Sequence, residues 1–174
     1  MSLLRKCARV TAIVGGAALL VLGVAPVSAG AVGGGGKPGP REPVDTGLPE
    51  TFPAGVVCDF PITVSEVVNS EYSRTFPNGN TLTTGRLVLR VTNDMTGESV
   101  VRNSSGPGLA TTGPNGEEVF IARGPTLFPV FEGEDATGRL GVGAFLFHGT
   151  IVFADGRLTR VSGTFEDLCV TLAG

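Results

Sequence analysis

Few residues in this chain of 174 have side chains suited to chemistry, and His148 is its only histidine. It opens the stretch HGTIVFADGRLTRVSGTF, residues 148–165. That stretch reads as two strands folded about Asp155-Gly156, since a type I′ turn needs positive φ at both central positions. A two-residue turn there pairs Ala154 with Arg157, Val152 with Thr159, Thr150 with Val161, His148 with Gly163 and Leu146 with Phe165. His148 is then expected on a largely apolar face, opposite a glycine that leaves room above its ring. In that place it could orient a ligand or move a proton. A ring buried and hydrogen-bonded to the backbone is the competing expectation. Tyr72 and Arg74, two apart, share a strand face with Phe76. They are expected either as polar groups of a pocket or in a structural pair with Asp59, Glu66 or Glu71. His148 and Tyr72 are therefore the candidate catalytic residues, and His148, Tyr72 and Arg74 the candidate ligand-binding ones.

Other chemistries find no footing. Ser104, Ser105 and Ser162 lack the flanking glycines of a nucleophile elbow. One histidine and few cysteines supply no zinc or copper set, so no metal is expected. Gly33 to Gly36 precede a proline-rich segment rather than a helix and cannot cradle phosphates, and GRLGVG at 138–143 has the wrong order for a dinucleotide fingerprint. No cofactor is expected. Glu132, Glu134 and Asp135 form an acidic loop without the ordered ligand spacing of a calcium site.

These residues must be positioned by something, and the chain falls into three parts. Arg5, Lys6 and Arg9, an apolar run from Val10 to Val24, and small residues ending at Ala29 make the pattern of a secretory signal peptide over 1–29. A second small-residue site would cut after Ala31. The apolar run is too short for a comfortable membrane span, so a secreted protein is expected. Loss of the leader removes three basic residues and no acidic one, taking the net charge from −3 to −6. That sign argues against nucleic acid as a partner. Residues 30–50, GAVGGGGKPGPREPVDTGLPE, have little to bury and are expected to form a disordered arm. LPETF at 48–52 resembles a sortase motif only in part, with Phe52 in place of the final glycine.

Residues 51–174 carry the fold. Turn signals recur at Pro77-Asn78-Gly79-Asn80, Asn93 to Gly97, Gly113-Pro114-Asn115-Gly116 and Ala154-Asp155-Gly156, separated by runs rich in Val, Thr, Phe and Leu. Such spacing predicts an all-β fold: a single antiparallel barrel of about eight strands, with a β-sandwich as the alternative. In GRLVLRVT, Leu87, Leu89 and Val91 share a face. LGVGAFLFHGTIVFA is apolar on both faces, as a covered central strand should be, and Gly141, Gly143 and Gly149 suit a strand that bends. EDLCVTL could form one helical turn. The two cysteines that outlast the leader, Cys58 and Cys169, are expected to pair in an oxidising compartment and to clasp the ends of the fold.

Two stretches, GRLVLRVTNDMTGESVVRNSSGPG and GTIVFADGRLTRVSGTFEDLC, resemble small secreted β proteins of actinobacteria that carry no assigned activity. The closing hairpin, with its G-T…F-x-D-G-x-L-T…G-T-F rhythm, is also similar to barrels of the allene oxide cyclase and dirigent type. That resemblance implies a barrel whose lumen holds the substrate of an isomerase or of a radical coupling. No catalytic motif of that family falls on this sequence residue by residue, so the resemblance implies a fold and not an activity.

The leading expectation is a secreted barrel that binds a small, mainly apolar molecule or simply acts outside the cell as a non-enzymatic module. A cofactor-independent isomerase or cyclase using His148 or Tyr72 is the second, and an extracellular protein-interaction or inhibitor module is the third. The first two require a roomy cavity reached by His148. The third requires a filled core and an exposed apolar patch.

Overall fold

A computed structural model of the chain describes residues 36–174. The leader, its cleavage sites and the first residues of the arm lie outside the described residues. Nine strands and one helical turn follow: β1 (Glu42–Pro43), β2 (Glu50–Phe52), β3 (Ile62–Thr75), β4 (Thr81–Asn93), β5 (Ser99–Asn103), β6 (Gly108–Thr112), β7 (Glu118–Val130), β8 (Gly143–Ala154), β9 (Arg157–Asp167) and α1 (Leu168–Thr171). The four turn signals fall between strands, joining β3 to β4, β4 to β5, β6 to β7 and β8 to β9. Asp155 and Gly156 have φ of 47° and 70°, the two positive values a type I′ turn demands. Asp167 caps α1, accepting from the Cys169 and Val170 amides.

All strands belong to one antiparallel sheet in the order β1-β3-β4-β6-β7-β8-β9, with β2 beside β3 and β5 beside β4. The sheet does not close through backbone hydrogen bonds, so it is an open, curled sheet and not a sealed barrel. Side chains span what the backbone leaves open. Cys58 and Cys169 form a disulfide with α-carbons 5.4 Å apart, tying the β2–β3 connection to α1 across 111 residues. Arg102 of β5 grips Glu166 of β9 through both carboxylate oxygens, at 2.8 and 2.6 Å.

The arm departs from its expected disorder from residue 36 onward. β1 pairs with Tyr72–Ser73 of β3. Nearby, the Gly39 amide donates to Thr75 and the Val44 amide to Glu71. The edge of β3 offers unpaired backbone groups, and a polar, glycine-rich segment can satisfy them without a core of its own. The LPETF residues Glu50, Thr51 and Phe52 are themselves strand, opposite Val64, Thr63 and Ile62.

Two bulges decide which side chains face inward. In β3 the register slips between Glu66 and Val68, leaving Val67 without a partner in β4. In β9 it slips at Thr159, so Phe153 pairs with Leu158 but Val152 with Arg160. An extra residue on one strand reverses the alternation beyond it. The register expected from the turn alone is therefore corrected by one residue: His148 faces Thr164, Thr150 faces Ser162, and Leu146 faces Glu166.

Apolar burial falls into two clusters. The first joins Phe52, Ile62, Val64, Leu87, Leu89 and Val91 with Leu168 and Leu172 of the C-terminal turn. The second joins Ala122, Phe145, Phe147, Ile151, Phe153, Leu158 and Val161 of β7, β8 and β9. Glycines permit two close approaches between paired strands. Gly85, at φ +146°, lies opposite Glu71, where a Cβ would strike the Ser70 carbonyl and the Glu71 backbone. Gly149 faces Gly163, and a Cβ on either would strike the other strand.

Candidate functional site

A cavity of about 80 Å³ lies where the two clusters meet, bounded by β3, β4, β7 and the arm. Its walls are mostly apolar, with Phe52, Leu87 and Leu89 on one side and Phe120, Ala122 and Phe128 on the other. Thr46 and Leu48 of the arm complete it. The arm is held there by polar contacts: the Thr46 hydroxyl donates to Glu66, and the Asn69 amide donates to the Val44 carbonyl at 2.9 Å and to Glu66 at 3.0 Å.

Two polar groups stand out against this lining. Glu71 is only 5 % exposed and lines the cavity, and its carboxyl has no side-chain hydrogen-bond partner among the described residues. Burial raises its pKa from the ordinary carboxylate value, and the negative charge of Glu66 raises it further. The Thr126 hydroxyl is the second group, buried and without a partner, and it also lines the cavity. Buried polar atoms are normally satisfied, so the orphaned Thr126 hydroxyl, in the same cavity as a carboxyl without a partner, calls for an explanation.

The bulge at Val67 puts Glu71 there. Ile62 and Val64 face inward, and strict alternation from them would carry Tyr72 and Arg74 inward as well. The extra residue reverses this: Glu71 is buried while Tyr72 is 38 % exposed and Arg74 is exposed. Tyr72 stacks instead beneath the Arg41 guanidinium of the arm, 4.7 Å from the ring centre. Neither Tyr72 nor Arg74 lines the cavity.

His148 does not line it either. Its alternating neighbours Phe147 and Ile151 are buried in the second cluster, and His148 is exposed. It sits near Glu166, whose pKa is lowered first by the hydrogen bond from Arg102, against burial, with the Thr171 hydroxyl and the Arg102 and His148 charges adding to it. Arg102–Glu166 is the single ion pair within 4 Å among the described residues. The structure therefore brings none of His148, Tyr72 and Arg74 to the cavity, and brings Glu71 and Thr126.

The acidic loop uses its carboxylates on itself. Asp135 accepts from the Thr137 amide and hydroxyl and from the Leu140 amide at 2.6–2.9 Å, and these bonds outweigh burial to lower its pKa. Glu134 accepts from the Phe131 amide. Ser104 binds the Leu127 amide, and Ser105 binds the Leu87 backbone and Asn103. Among the described residues no three acidic, histidine or cysteine side chains are grouped as metal ligands, and no helix is long and apolar enough to cross a membrane.

Set beside known proteins, the chain matches no family model, no curated protein and no solved structure. The reading of this site rests on its own geometry.

Proposed function

We propose that this is an exported, disulfide-clasped β protein that binds a small, mainly apolar molecule between the curled sheet and its N-terminal arm. The observation that supports this most is a mostly apolar cavity holding two groups without a hydrogen-bond partner among the described residues, the Glu71 carboxyl and the buried Thr126 hydroxyl. A concave apolar site with a few convergent polar groups is the usual form of a small-molecule site. Its size limits the occupant. Drug-sized ligands fill about 300 Å³ or more, and an apolar cavity of about 150 Å³ takes benzene. At about 80 Å³, this site suits a molecule smaller than benzene.

The isomerase reading loses its expected proton carriers, because His148 and Tyr72 lie outside the cavity. Were turnover found, Glu71 would be the group to examine.

Filling the site tests the proposal. Ala122 is buried in the cavity wall, and Ala122→Leu should occupy the space. Xenon under pressure should shift the amide resonances of Leu87, Leu89 and Ala122 in the native chain and not in the filled variant. Equal shifts in both, or none in either, would remove the proposal.

A further inference from the structure

We infer that the molecule held in this cavity is an organic cation, a short aliphatic amine whose ammonium group meets Glu71. The inference rests on the binding reading above and adds the ligand's charge.

The argument starts from what lines the cavity. Its polar residues are Glu71, Thr46, Thr83, Ser104 and Thr126, and no lysine, arginine or histidine is among the lining residues. Glu71 is therefore a residue more than nine-tenths buried whose carboxyl shares the cavity with hydroxyls and hydrocarbon, without a counter-charge among the described residues. A second carboxylate, Glu66, stands near it and holds Thr46 of the arm. Structural carboxyls at this depth are paired or hydrogen-bonded, because an uncompensated buried charge is costly. Among the described residues Glu71 has neither kind of partner, so their fold alone does not account for it.

The three ligand classes fare differently. An anion would face one carboxyl with a second, Glu66, near it, and would find no side-chain donor stronger than a hydroxyl in the lining. A neutral alcohol could share a hydrogen bond with Glu71 or Thr126, and would leave the carboxyl to bear its own desolvation. An ammonium supplies the missing charge and three donors. One donor can meet Glu71 in a charge-assisted bond, stronger in these apolar surroundings than in water. The Thr126 hydroxyl can accept another, and a short alkyl chain then lies against Leu87, Leu89 and Ala122. Burial and the Glu66 charge favour the proton on Glu71 when no cation faces it. A cation reverses that preference, so binding and carboxyl ionisation are coupled.

A matched series separates the classes. The ¹⁵N-labelled, disulfide-bonded chain is titrated at neutral pH with n-butylamine, butan-1-ol and butyrate, following the amides of Leu87, Leu89, Ala122 and Leu127. The amine should bind at least about tenfold more tightly than the alcohol, as a charge-assisted bond implies, with butyrate weakest. Glu71→Gln should bring the amine down to the level of the alcohol. Equal affinity of amine and alcohol, or tighter binding of butyrate, would overturn the charge assignment and leave the cavity reading intact. Failure of all three to move the cavity amides, while xenon also fails, would overturn the binding reading itself. The native series decides without Glu71→Gln, should that variant not fold.

Discussion

Two long ribbons, β3–β4 and β8–β9, use the same devices to different ends. Each pairs over ten or more residues, each carries one bulge, and each has a glycine where the two strands press together. In β8–β9 the bulge at Thr159 lets Leu158 and Val161, three apart, both face inward. Both join the second cluster beside Ile151 and Phe153, and His148 is left outside. The result is dry packing. In β3–β4 the bulge at Val67 turns a carboxyl inward, opposite a glycine, and sends Tyr72 out beneath Arg41 of the arm and Arg74 out to the surface. A bulge is therefore neutral as to chemistry. It reverses the alternation, and the sequence beyond it decides whether a core or a polar site results.

The largest expected effect tests whether the two ribbons depend on one clasp. Replacing Cys58 and Cys169 together by serine should cost about 4–5 kcal/mol by loop entropy for a loop of this length, read from denaturant unfolding. Cys58 packs in the first cluster, so hydrogen exchange should rise more in β3 and β4 than in β8. A uniform rise would mean the ribbons open as one body. The next effect is Phe147→Ala. Phe147 is completely buried in the second cluster and does not line the cavity, so about 3–4 kcal/mol should be lost with butylamine affinity unchanged. Loss of affinity in a still-folded variant would break the distinction between the two regions.

How far the sequence announced this depends on whether a feature is local. Turns, strand alternation in GRLVLRVT, the one-turn helix and the cysteine pair are each written in a few adjacent residues, and each is present. The bulges are not local in that sense. Spacing Leu158 and Val161 three apart in a strand was a signal that one residue must be absorbed, and it was visible. At Val67 the residues on either side are Glu66 and Val68, and nothing in their types says which way the strand turns. Counting by two from Ile62 and Val64 carries Tyr72 and Arg74 inside and Glu71 out, the reverse of what the bulge produces. The order of the arm from residue 36 is illegible for a related reason: composition reports what a segment can bury, not whether a neighbouring strand edge will take its backbone.

Glu71→Gln sharpens the contrast between the ribbons. With its pKa raised, folded Glu71 keeps a proton at pH values where the unfolded chain has released it. Stability therefore falls as pH rises from the ordinary carboxylate range through the raised value, and stays reduced above it. The glutamine variant should lose that slope and be more stable at neutral pH by about 1–2 kcal/mol, the cost of an unpaired buried polar group. A less stable variant with the slope retained would show that Glu71 is paired in solution and that its ribbon is as fully packed as the other.

The smallest effects concern the outer face of β8–β9. Arg102→Ala should cost about 1 kcal/mol, since a two-pronged arginine–carboxylate pair exceeds an ordinary surface pair only modestly. Its stabilisation is present at neutral pH and is lost as acid protonates Glu166 through its lowered pKa. Thermal melts of the native chain and the variant should therefore converge below that point. His148→Ala should change stability by less than about 0.5 kcal/mol, as exposed substitutions usually do, and should leave butylamine binding as it was. The only histidine in the chain would then be a bystander to the cavity. A His148→Ala chain that folds normally but loses the amine would mean that β8 presents its outer face to the ligand, and the division of labour between the two bulged ribbons would have to be reversed.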